Sequence, residues 1–102
     1  MNKTTIQKIK AKTIKWGESS KEPMTWQEAG EWCIKQGGRL PSISELFSAC
    51  CDDVPGFSSA YYWSATTYKS NTANAWNVYF NIGYVNDSNK TAYLNYARCV
   101  RE

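Results

Sequence analysis

YYWSATTYKSNTANAWNVYFNIGYVNDSNKTAYLNYARCVR, residues 61–101, holds all seven tyrosines of the 102-residue chain, two of its five tryptophans and every asparagine but Asn2. Within it Trp76, Val78 and Phe80 alternate with Asn77, Tyr79 and Asn81. Successive strand side chains point to opposite faces, so this pattern predicts a strand with an apolar row beneath and an Asn/Tyr row above. The expected core is Trp26, Trp32, Leu40, Leu46, Trp63, Trp76, Val78 and Phe80. Ahead of that strand the spacing predicts another near Tyr61–Ala65 and a long polar loop. After it come a turn through Ile82-Gly83, a short return at Tyr84–Val85 and a last strand ending at Val100.

Upstream, Thr25-Trp26-Gln27-Glu28 has the form of a capping box. Trp26, Ala29, Trp32 and Cys33 follow at helical spacing, and Gly37-Gly38 supplies an exit, so the first helix is expected over about 26–36. Ser42-Ile43-Ser44-Glu45 starts a second helix about one turn shorter, with Ile43, Leu46, Phe47 and Cys50 on one face. Asp52 to Ala60 reads as a loop, as does Gly17 to Pro23. Thr5 to Trp16 reads as a strand, Ile9 and Ala11 on one side and Lys8, Lys10 and Lys12 on the other, with a bulge near Thr13. Residues 1–4 read as a short flexible start. Strand, helix, helix and then several strands make an α+β fold with an antiparallel sheet.

The totals fit one domain with a modest core: 42% hydrophobic residues and a net charge of +3. Six lysines crowd the first fifth of the chain, but on a strand they read as a solvated edge rather than a nucleic-acid arm. No apolar run is long enough for a membrane span, and the basic start lacks the apolar stretch of a secretory signal. Either the protein stays in the cell where it is made or the sequence is a mature or trimmed form, which leaves a cytoplasmic, virion-associated or partner-displayed location open. The chain has no histidine, which excludes His-based catalysis and His metal ligands. No nucleophile–base pair or Gly-rich phosphate loop is present, Asp52-Asp53 beside Pro55-Gly56 reads as a solvated turn, and the four cysteines lack a CxxC pair. The expectation is no catalysis, no metal and no cofactor.

MTWQEAGEWC (24–33), GGRLPSISEL (37–46), YYWSAT (61–66), AWNVYF (75–80) and RCVR (98–101), in this order, resemble bacterial and phage domains built on the C-type lectin fold. Two groups are most similar: the Lcl C-terminal-like domain, and the variable proteins of diversity-generating retroelements. The resemblance implies paired N- and C-terminal strands, two helices and a small second sheet carrying a contact surface. It places Trp63, Trp76 and Phe80 at buried aromatic positions and Gly38 to Pro41 at the turn entering the second helix. It also makes Cys33 and Cys99 neighbours that are often disulfide-linked, the alternative being two buried thiols in a reducing compartment. Calcium-binding lectins of this fold place an Asp after the Trp-Asn pair, where this chain has Val78. Beyond Asp53 the chain offers Asp87 and Glu102 alone as carboxylate side chains, so a calcium-dependent sugar site is not expected.

Tyr, Asn and Ser predominate in antibody combining sites, where Tyr gives contact area at low entropic cost and Asn and Ser adapt their hydrogen bonds. Tyr61, Tyr62 and Tyr96 fit an ordinary core as well. The candidate ligand-binding residues are Asn77, Tyr79, Ile82, Tyr84, Asp87, Ser88, Thr91 and Tyr93. In the retroelement proteins adenine replacement scatters Asn codons; from AAC it reaches Tyr, Ser, Asp, Ile, Thr, Ala, Leu and Gly. Those types recur here among unchanged Asn, while Trp76, Val78, Phe80, Gly83 and Val85 would be framework. The function expected is a module that binds a macromolecule, protein or glycan, through a diversified surface. The alternative is a structural or adhesin-like paralogue of a phage or cell surface without such a site.

Overall fold

The computed structural model describes residues 14–102. The elements are β1 (Lys15–Ser19), α1 (Trp26–Lys35), α2 (Ile43–Cys51), β2 (Tyr61–Thr67), β3 (Asn74–Tyr79), β4 (Tyr84–Asn89) and β5 (Arg98–Arg101). The fold is α+β. β1 pairs antiparallel with β5, and β2–β3–β4 form a second antiparallel sheet.

Both helices begin where the sequence signals them. Thr25 and Ser42 cap the N-termini through their side chains, while Glu28 and Glu45 reach back to the cap amides. The α2 box is braced from outside, because Arg39 forks onto Glu45 at 2.8 Å and reaches Glu102 at 3.3 Å. That bond holds the Glu45 carboxyl below its ordinary range. Gly38 is held against the Val100 carbonyl, where a Cβ would lie at 2.5 Å, so the chain leaving α1 lies flat on β5.

Strand phase at the N-terminus differs from expectation. The Thr5–Thr13 part of the expected strand and its bulge lie outside the described residues. Where described, the strand takes in Gly17 to Ser19, read from sequence as loop. Trp16 pairs with Val100 and Ser19 with Arg98, with an irregularity between them. Two contacts anchor this polar stretch: Ser20 N bonds Ala97 O at 2.7 Å, and the Arg98 Nε donates to Gly17 O. β4 is likewise longer than the expected Tyr84–Val85, because its six residues pair without interruption against β3.

β2 and β3 carry packed side chains on both faces. On one side Ala29, Cys33, Leu40, Trp63, Ala75, Ala97 and Cys99 cluster, with Met24, Trp26 and Trp32 against them. On the other, Leu46, Tyr62 and Val78 meet Ile43, Cys50, Phe57 and Phe80. Tyr62 is fully buried yet satisfied, its hydroxyl accepting from Ser58 N and donating to Ser19 Oγ, both at 2.9 Å. Cys33 and Cys99 are joined by a disulfide that ties α1 to β5. Arg98, 8% exposed, donates to Pro55 O at 2.8 Å and lies over Phe57 at 4.4 Å. No described carboxylate pairs with it. Trp76, expected in the core, is half-buried with Tyr68 edge-on at 4.8 Å, and Phe80, Trp26 and Trp32 are also half-buried. Among the described residues no helix is long and apolar enough to cross a membrane.

Candidate tyrosine-rich binding surface

Directly paired residues of an antiparallel sheet share a face, so the register sorts the candidates. Tyr61 pairs with Tyr79 and Tyr79 with Tyr84; one step along, Trp63 pairs with Asn77 and Asn77 with Asn86. Tyr61, Tyr79 and Tyr84 therefore form a cross-strand row on the face that carries Trp63. The Tyr61 and Tyr79 rings stack, their centroids 4.4 Å apart and their planes 4° from parallel. Tyr84 closes the row at 50% exposure. None of these three hydroxyls bonds another described side chain or backbone group.

The same face explains the main correction. Asn77, expected on the exposed row, is 0% exposed, and Ser88 is 9% exposed. Asn77 Nδ2 donates to Ser88 Oγ at 2.6 Å, while Asn77 Oδ1 has no partner. Their face carries Trp63 and Ala75, which pack with Ala29, Cys33, Ala97 and Cys99, and the chain after β4 passes from the outer strand to the free side of β2. Lys90 fixes its start: its Nζ lies 4.1 Å from the Trp26 ring and bonds Thr67 Oγ1, and its carbonyl accepts from Trp26 N. Asn95 exchanges backbone bonds with Met24, and Tyr96 N donates to Tyr61 O. Alternation gave the right faces for Asn77 and Val78, but a second layer covers the face expected to meet water.

The remaining candidates divide. Thr91 and Tyr93 are exposed on the crossing segment, Tyr93 at 57%. Asp87 pairs with Trp76 and so belongs to the opposite face, its Oδ2 accepting from Asn74 Nδ2 at 2.8 Å. Ile82 projects from the β3–β4 turn at 70% exposure, beside a cavity of about 590 Å³ that Phe47, Cys50 and Phe57 also line. The eight positions are therefore not one patch. Tyr79 and Tyr84 share the tyrosine row, Thr91 and Tyr93 stand on the segment after β4, Asn77 and Ser88 are buried, and Ile82 and Asp87 lie elsewhere.

Sequence reasoning missed Tyr61, Asn86 and the exposed Leu94. For Tyr61 a signal existed: it has the parity of Trp63, and pairing the two aromatic strands sets it opposite Tyr79. A groove of about 700 Å³ lies between β1, β5 and α1, lined by Trp32, Gln36 and Val100 among others, and holds none of the candidates. Cys50 is half-buried and Cys51 exposed, and burial pushes the Cys50 thiol up, away from the reactive thiolate.

The family model described as the Lcl C-terminal domain matches residues 6–101. No curated protein matches the chain.

Proposed function

The chain belongs to the Lcl C-terminal domain family, and from that premise we propose that it is a binding module, without catalysis, that docks a macromolecular target on its tyrosine-rich face. The observation that carries this reading is the Tyr61–Tyr79–Tyr84 row: aromatic side chains held in register by a sheet, with hydroxyls that bond no described residue. Rigid aromatic anchors lose little entropy on binding, and the buried layers beneath keep the face in one conformation. Tyr93 and Leu94 on the crossing segment extend the surface with exposed side chains.

The finer reading is a surface diversified by adenine-directed mutagenesis, and it suits Tyr79, Tyr84, Thr91, Ala92, Tyr93 and Leu94. It does not suit Asn77 and Ser88, whose replacement would disturb a buried bond. A reverse-transcriptase gene and a near-copy of the coding 3′ end beside this gene would be the mark of that system. Their absence would leave the structural or adhesin-like alternative.

The test of the module is a displayed library with Tyr79, Tyr84, Thr91 and Tyr93 randomised together. Members should melt like the parent while differing in the proteins or glycans they retain. A library that is mostly unfolded would overturn the reading, because the face would then be core.

A further inference from the structure

We propose that β4 is a docking edge, where an extended segment of a protein partner adds as a further strand. Half of the backbone groups of β4 are already used. Lys90 N donates to Ala73 O at 2.9 Å, one step beyond the Asn74–Asn89 pair. Antiparallel bonding alternates, so Tyr84, Asn86 and Ser88 are the residues that bond β3. The bond from Phe80 N to Ala60 O sets the same phase on the other side, directing the even-numbered residues of β3 toward β2. Val85, Asp87 and Asn89 therefore turn their N–H and C=O groups outward. Of these, the Asn89 carbonyl accepts from Tyr93 N at 3.2 Å, and no other described backbone group bonds that side.

The edge also lacks the usual protections. Exposed edges are commonly blunted by Lys, Pro, bulges or very short strands. β4 has six residues, contains no Lys, Pro or Gly, and holds its register with β3 throughout, whereas the β1–β5 and β2–β3 pairings both shift. Its side chains suit an added strand on both faces. Tyr84 ends the tyrosine row at this edge, so a partner aromatic set opposite it would continue the row. On the other face Val85 offers an apolar pair. The second Asp87 oxygen has no described partner and would meet a Lys or Arg of the incoming strand.

Asp87 also argues against a second copy of this chain as the occupant. Two β4 strands pairing antiparallel through their outward residues bring both Asp87 carboxylates directly opposite or diagonal on one face, and like charges there are destabilising. The segment proposed is therefore from another protein: extended, with a basic residue between apolar or aromatic ones.

This deepens the binding-module reading and rests on it. The probe is a displayed library of random peptides selected on the intact protein. Selected peptides should alternate apolar and other residues and carry a Lys or Arg. In the complex, hydrogen exchange at the Val85 and Asp87 amides should slow markedly. Val85→Pro and Asp87→Pro each remove one outward N–H and spare the β3 ladder, so they should weaken peptide binding by at least roughly tenfold. Asn86→Pro, which breaks the ladder, is the control for loss of the sheet. Failure to select any peptide, or peptides that leave those amides unprotected, overturns the proposal. So does protection of the same amides in the free protein with rising concentration, which would make the occupant a second copy. Peptides that tolerate both prolines but lose binding with Tyr84→Ala would sink strand addition and leave the tyrosine face standing. If the proline variants unfold, the exchange measurement on the unaltered protein decides.

Discussion

The Asn77–Ser88 pair gives the sharpest prediction, because its two single substitutions and its double substitution should differ in kind. Asn77 is fully buried, one amide atom bonded to Ser88 at 2.6 Å and the other without a partner. Ser88→Ala strands the remaining amide atom as well, at about 1–3 kcal/mol. Asn77→Leu keeps the branching and the number of heavy atoms, but sets a methyl where a hydrogen-bonded nitrogen was and leaves a buried hydroxyl unpaired. The expected loss is again about 1–3 kcal/mol. The double variant removes both polar partners, makes room for the methyl and eliminates the unpaired oxygen, so it should be about as stable as the parent or slightly more so. The cycle then shows a coupling of about 2 kcal/mol or more. Urea unfolding of the four proteins measures it. If all three variants lie within about 0.5 kcal/mol of the parent, the two residues meet solvent and the account of the covered face is wrong.

Replacing both Cys33 and Cys99 by Ala opens a crosslink spanning 66 residues and should destabilise the fold by about 4 kcal/mol, read as a fall in denaturation midpoint that reductant reproduces in the parent. Arg98→Ala abandons the Gly17 and Pro55 carbonyls and the contact with Phe57; a loss of about 2–4 kcal/mol in the same assay is expected. The Glu45 carboxyl titrates lower when folded than unfolded, first through the bond from Arg39. Its stabilisation is therefore complete above the unfolded value of about 4.3 and lost as pH falls through the folded one. Glu45→Gln should lower the melting temperature at neutral pH and weaken its dependence on pH below about 4. Tyr84→Ala should leave stability within about 0.5 kcal/mol, while costing about 2 kcal/mol of affinity for any peptide or protein selected on the tyrosine face.

What was legible in the sequence was local. Thr25 with Glu28, and Ser42 with Glu45, carry their capping partners three residues away, and the helices start there. Val78 is fully buried as alternation expected, and so is Trp63, which the resemblance placed at a buried position. What was not legible depended on distant chain. Nothing near Asn77 announces that Trp63 and Ala75 on its face pack with Ala29, Cys33 and Ala97, or that the chain after β4 returns to β2 pinned by Trp26 and Met24. The polar composition of Tyr84–Asn89 argued for a brief return strand, yet Asn74 with Asp87 and Asn77 with Ser88 bond across the pair and hold it to its full length. The tyrosines followed the same rule. Tyr61 and Tyr62 both fitted an ordinary core, and the place of Tyr61 in the row with Tyr79 and Tyr84 required the β2–β3 register.

The pairing of Lys15 with Arg101 places the two ends of the described chain side by side, and the disulfide lies just inside them. Under tension between those ends, an antiparallel pair opens like a zipper, one bond at a time and at low force. Once β1 has peeled away, the pull runs from Lys15 through α1 to Cys33, crosses the sulfur bridge to Cys99, and leaves by Arg101. Residues 34–98, which contain β2, β3, β4 and the tyrosine row, then form a closed loop outside the path of the force. A module held at both ends in flowing liquid would surrender its first strand and helix while that loop stayed closed, and chemical reduction of one bond would open it.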